Sequence, residues 1–157
     1  DDILNTVVRQ ICFSEFERRL HGWDDASGTW KEPRKRSAEE LDELWMQVTK
    51  MFYGADGDVF TYEDMSHLWA YIPHFHRPFY VYVYATSTAA AYQFGQDITA
   101  GKPGARENFL NVLRAGGSVP PYQLLKDAGV DLATPTPYQT LIRRMESILD
   151  EVEKLTG

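Results

Sequence analysis

Apolar residues recur at helical intervals through nearly the whole chain, and this period restricts it to an all-α fold. In the first segment they fall at Leu4, Val7, Val8, Ile11, Phe13, Phe16 and Leu20. That spacing lines one face of a helix ending near His21-Gly22. Ser37 and Glu40 stand three apart ahead of the next apolar run, the pattern of a capping box in which each side chain satisfies the other's backbone N–H. The helix they open carries Leu41, Leu44, Trp45, Val48 and Phe52 and stops at Gly54. Later, "KPGARENFLNVLRAGGS" (102–118) reads as an amphipathic helix closed by Gly-Gly, and "PPYQLLKDAGVD" (120–131) as a shorter one. The last, "TPTPYQTLIRRMESILDEVEKL" (134–155), places Leu141, Met145, Ile148, Val152 and Leu155 on one face.

The connections are turn formers. "GWDDASGTWKEPRKR" (22–36) and "PHFHRP" (73–78) read as loops, and "YEDMSHLWAY" (62–71) as a short helix between them. "GADGDVFT" (54–61) is a turn whose aspartates lack the ligand series and closing glutamate of a calcium loop. No repeat or low-complexity tract interrupts the series. A chain of 157 residues is the size of one domain, so a single helical domain is expected over 1–157.

Charge and cysteine usage exclude some functions. Sixteen basic against 23 acidic residues give a net charge of −7, the wrong field for a nucleic-acid binder. The basic run "KEPRKR" (31–36) reads as a solvated connection. Cys12 is the only cysteine, so no intrachain disulfide forms and a reducing, cytoplasmic setting is expected. Its neighbours Val8, Ile11 and Phe16 make it a small buried hydrophobe. No apolar run reaches membrane-span length, and no signal peptide is seen.

One stretch breaks the helical period. In "WAYIPHFHRPFYVYVYAT" (69–86), Phe79 to Tyr84 alternate aromatic with β-branched types, which spells a strand, whereas "ATSTAAAYQF" after it spells helix. Local pattern leaves both open. The stretch also gathers His74, His76, Tyr80, Tyr82 and Tyr84. In a helix, Tyr80 and Tyr84 would share a face and Tyr82 would point elsewhere. Protonated tyrosines with an imidazole N–H suit the oxygen charge of a tetrahedral intermediate, but core aromatics with satisfied hydroxyls fit the same pattern. Other chemistry lacks its signature. No H-E-x-x-H, nucleophile elbow or phosphate loop is present. A metal site built from Glu63, His67, His74 and His76 is conceivable, with its geometry unspecified by the intervening loop.

Three segments, in order, resemble the C-terminal part of oligoendopeptidase F, within the thimet-oligopeptidase-like zinc metallopeptidases. "RQICFSEFERRLH" (9–21) is similar to the family's "FRQ-x-x-F-x-E-F-E" helix. "IPHFHRPFYVYVYATSTAAA" (72–91) resembles its histidine and tyrosine segment, and "ARENFLNVLRAGGSVPPYQLLKDAGVDLATPTP" (105–137) its "GGS…LL-x-x-AGVD" tail. His76 stands where relatives often carry tyrosine, and Ser87 where glycine is common.

The resemblance implies the helical C-terminal catalytic-lobe portion of a zinc oligopeptidase fold, and it resolves "FYVYVYAT" as helix. It implies hydrolysis of short peptides at internal bonds, with His74, Tyr80 and Tyr84 as catalytic hydrogen-bond donors to the intermediate and His76 and Tyr82 as substrate-binding neighbours. The family's zinc ligands, H-E-x-x-H and a further glutamate, precede the "FRQ-x-x-F" helix and are expected before Asp1. No metal is therefore expected on this chain, and alone it is expected to be inactive, a C-terminal fragment missing its N-terminal zinc-binding part. The surface that this part would cover is expected to favour self-association. The rival expectation is a non-enzymatic helical peptide-binding or assembly module on the same fold.

Overall fold

A computed structural model describes residues 3–54 and 65–157, which group into two compact units, Asp1–Ala85 and Thr86–Gly157. Among the described residues the fold is all-α apart from one small hairpin. A π-helical turn, Leu4–Val8, leads into α1 (Arg9–Leu20). The hairpin pairs β1 (Trp23–Asp24) with β2 (Thr29–Trp30), and α2 follows (Ala38–Tyr53). Two 3-10 turns, Leu68–Tyr71 and Pro73–His76, precede α3 (Tyr82–Thr99), α4 (Ala105–Ala115), α5 (Pro121–Asp127) and α6 (Thr136–Thr156). The turn expected over 54–61 and the start of the helix expected from Tyr62 lie largely outside the described residues; from Met65 onward the chain forms a turn and 3-10 structure instead of an α-helix.

In the first unit α1 packs on α2 around buried Cys12, Phe13, Phe16, Trp45, Val48 and Val81. Phe16 meets the Trp45 indole edge-on at 5.3 Å and Phe75 at 5.2 Å, geometries that add to the gain from burying the rings. Burial also pushes the Cys12 thiol from its ordinary 9.0 up to about 12, so it packs as an inert hydrophobe. The capping box forms as the sequence requires: Glu40 N–H donates to Ser37 Oγ at 3.3 Å and Ser37 N–H to Glu40 Oε2 at 2.9 Å.

The segment 22–36, expected to be a plain loop, contains the hairpin. Gly22 makes it possible: its φ is +104°, and a Cβ there would lie 2.2 Å from the Lys31 carbonyl oxygen. Asp24 closes the turn by accepting from Ala26 N–H and Ser27 Oγ. The Lys31 ammonium first, and Ser27 second, pull its carboxyl down to about 2. The basic run is only partly a solvated connection. Arg36 donates to the carbonyls of Leu20 at 2.8 Å and Arg19 at 3.2 Å, closing the C-terminal end of α1.

In the second unit Ala90 and Phe94 of α3 join Phe109 and Val112 of α4, Leu125 of α5, and Ala128 and Val130 beyond it in one cluster. A buried polar pair lies apart from it, with Thr140 Oγ1 donating to Gln93 Oε1 at 2.7 Å. The apolar face expected on α6 is covered only at its start. Leu141 is buried and Met145 and Ile148 half-buried, whereas Val152 is exposed and Leu155 is 86% exposed.

Candidate functional site

His74 belongs to the 3-10 turn Pro73–His76, and two indoles tether the chain leading to it. Trp45 Nε1–H donates to the Met65 carbonyl at 3.0 Å, and Trp69 Nε1–H to Asp42 Oδ1 at 2.7 Å. The other carboxylate oxygen of Asp42 meets His67 Nδ1 at 2.6 Å. The Trp69 indole N–H, ahead of the His67 contact, holds the Asp42 carboxyl below the usual carboxylate range. A segment whose own backbone bonds close only short turns is thus also tied to α2 by side chains.

The helix expected over "FYVYVYAT" is present but begins at Tyr82, so Tyr80 precedes α3 instead of sharing a helical face with Tyr84. Bonds from Val83 N–H to the Tyr80 carbonyl and from Tyr84 N–H to that of Val81 wind the entry into the first turn. The two rings still come together, with centroids 6.2 Å apart. His74 sits against both, 5.5 Å from Tyr80 and 5.9 Å from Tyr84. His74 Nδ1 and the Tyr80 hydroxyl share a hydrogen bond. Removal from water, then the neighbouring Tyr84 hydroxyl, pushes the Tyr80 phenol above its ordinary 10.0, against the opposing pull of Arg77. Tyr80 is therefore an O–H donor at neutral pH. Tyr84 is 38% exposed, so the cluster opens onto solvent.

His76 and Tyr82 are both exposed and do not join this ring cluster among the described residues. Three of the five sequence-derived positions are therefore brought together and two are not. The structure adds residues that the sequence reading passed over. The Arg77 guanidinium lies 5.3 Å from the centre of the Tyr80 ring. Glu17 of α1 accepts the Phe79 N–H at 2.8 Å, one residue before Tyr80. The signal for Glu17 was available: it stands four residues after Phe13 on the buried face of α1, where a carboxylate must find a donor.

No group of three or more His, Cys, Asp or Glu side chains converges as a metal would need among the described residues. Of the conceivable ligand set, Glu63 lies outside those residues, His67 is paired with Asp42 and His74 with Tyr80. The residues described do not fit a zinc ion. A separate hollow of about 860 Å³ in the second unit is lined by Tyr92, Gln96, Arg143 and Arg144 among mostly small residues, away from the ring cluster in sequence and chemistry. No helix of the described residues is long and apolar enough to cross a membrane.

Comparison with known proteins gives concordant matches. The model of peptidase family M3 matches residues 3–144. The group B oligopeptidase PepB of Streptococcus agalactiae is 34% identical over 160 aligned positions, covering 100% of this chain and 25% of that protein. The oligopeptidase PepF of Bacillus subtilis is 36% identical over 151 positions, 96% of this chain and 21% of that protein. In three dimensions, oligoendopeptidase-F from Enterococcus faecium superposes with a TM-score of 0.83 at 31% identity, covering 97% of this chain and 28% of that one. The chain spans about a quarter of the length of the relatives it matches.

Proposed function

Since the chain belongs to peptidase family M3, we propose that it supplies the hydrogen-bond donors that steady the tetrahedral intermediate in an oligopeptidase active site. The convergence of His74, Tyr80 and Tyr84 in one solvent-facing ring cluster carries this reading. When an amide carbonyl is attacked its oxygen gains negative charge, and fixed donors stabilise that charge more than the ground-state carbonyl. Tyr84 brings an O–H group, and the bonded His74–Tyr80 pair brings one more donor: the His74 Nε2–H when Tyr80 donates to Nδ1, or the Tyr80 O–H when Nδ1–H donates to it. The bond between His74 and Tyr80 fixes both rings before substrate arrives, which avoids ordering them during the reaction. His76 and Tyr82, exposed and on either side of Tyr80 in sequence, are assigned to contacts with the rest of the peptide.

Zinc in such a peptidase polarises the scissile carbonyl and activates water. The described residues do not fit that ion, so this chemistry is assigned to groups outside them, and the 157 residues alone are expected to lack peptidase activity. The substrates are short peptides cut at internal bonds, in keeping with the oligopeptidase and oligoendopeptidase names of the relatives. The lone, buried Cys12 suits a reducing compartment such as the cytoplasm.

The test uses a full-length relative in which the tyrosine matching Tyr84 becomes phenylalanine. The expected result is a fall in kcat of about 100- to 1,000-fold with a smaller change in KM. An unchanged kcat overturns the donor role. Chelator-sensitive peptide cleavage by the isolated chain would overturn the assignment of zinc chemistry elsewhere.

A further inference from the structure

Phe79 has a positive φ of 58°, the single such value outside glycine among the described residues. The left-handed region crowds Cβ against the backbone, and a bulky residue stays there only when its surroundings hold it. Three partners do so here. Glu17 Oε1 accepts the Phe79 N–H at 2.8 Å. The Phe79 ring lies 4.8 Å from the His21 imidazole and, edge-on, 6.2 Å from the Trp30 indole. Of these, Glu17 is the anomaly: it is 2% exposed, in a helix face otherwise given to Phe13, Phe16 and Cys12. Burying a carboxylate is costly without a donor, and an apolar residue at position 17 would pack with no such requirement. The donor it meets belongs to a backbone 62 residues away, at the kink itself.

The residue after the kink is Tyr80. We propose that Glu17 is the positioning residue of the ring cluster: its bond to the Phe79 N–H holds the left-handed kink that delivers the Tyr80 hydroxyl to His74. The catalytic consequence rests on the donor role proposed above for His74 and Tyr80; the geometric claim stands separately. Glu17 touches no reacting atom. It acts by setting the backbone direction from which Tyr80 emerges, since Tyr80 lies ahead of α3 and is joined to the helix only through its carbonyl, which takes the Val83 N–H.

The experiment compares E17Q and E17L in the 157-residue chain, reading the His74 tautomer by long-range ¹H–¹⁵N correlation with exposed His76 as an internal reference. In the unaltered chain and in E17Q, which keeps an acceptor oxygen, His74 is expected in one tautomer. In E17L it is expected to show an exchanging mixture of tautomers, as is exposed His76. Adding F79G to E17L removes the Cβ that resists a positive φ and is expected to restore the single tautomer. An unaltered His74 signal in E17L, or its loss in E17Q, overturns the proposal. If E17L loses its helical circular dichroism, E17Q and F79G alone decide: both must keep the single tautomer, and loss in either overturns it. The change corresponding to E17L in a full-length relative then separates the two claims. A fall in kcat of about 100-fold with little change in KM supports both. An altered tautomer with unchanged kcat keeps the positioning role and overturns the donor role.

Discussion

The first unit fills its interior with rings, the second mostly with aliphatic side chains. Phe13, Phe16, Trp45, Trp69 and Phe75 pack together in the first, while the buried hydrophobic residues of the second are Ala89, Ala90, Ala105, Val130 and Leu141 with the one ring of Phe94. The difference follows what each must hold. From Met65 to Tyr80 the first unit has only turns and 3-10 structure, whose backbone bonds close single turns and do not build a longer ladder. Indole N–H groups and carboxylates take over, through Trp45 to Met65, Trp69 to Asp42 and Phe79 to Glu17. The second unit keeps its backbone in helices, so small residues that admit close approach suffice. The proposed donors lie in the unit where side chains, not backbone ladders, fix the chain.

The widest gap between the units should appear on deleting a core side chain. Phe16→Ala is expected to destabilise the first unit by about 3–5 kcal/mol, against about 1 kcal/mol for Ala90→Gly in the second. Denaturant unfolding with residue-resolved hydrogen exchange measures both, and equal losses would dissolve the contrast. A smaller effect is expected at the buried polar pair of the second unit. Thr140→Val leaves the Gln93 oxygen without its donor and should cost about 1–3 kcal/mol. A loss as large as that of Phe16→Ala would mean that the second unit, too, depends on specific side-chain ties.

The smallest effect concerns acid. The Asp24 carboxyl is held at about 2 in the folded hairpin against an ordinary 3.8. A depressed carboxyl contributes stability that is present above the ordinary value and lost as pH falls through the folded one. The hairpin should therefore weaken between about pH 4 and pH 2, modestly because the pair with Lys31 faces solvent. The carboxyl ¹³C shift of Asp24 checks this directly. A midpoint near 3.8 would show that Lys31 contributes nothing.

What was legible in the sequence was what local physics decides. Ser37 and Glu40 announced their box because both partners lie within one turn. Cys12 was readable as a buried hydrophobe from the apolar residues around it. The entry to α3 was not readable, because alternating Phe79 to Tyr84 carries strand propensity that tertiary contacts override. The hairpin at Trp23 and Trp30 escaped because its strands are two residues long, too short for any period to register. Gathering His74, Tyr80 and Tyr84 from the residue types was possible; the kink at Phe79 that sets their spacing depends on Glu17, a contact no local pattern encodes. The stripe on α6 illustrates the opposite error, since periodicity marks an apolar face without saying how far along it the packing extends.

That Tyr80 stands ahead of α3 while Tyr84 stands within it gives the two phenols different backbone supports. Tyr80 follows a residue whose N–H is held by Glu17 of α1, and its own carbonyl takes the Val83 N–H of the first helical turn, so it is tied at both ends. A substitution on either side of Tyr80 is therefore felt in the gap between the two hydroxyls.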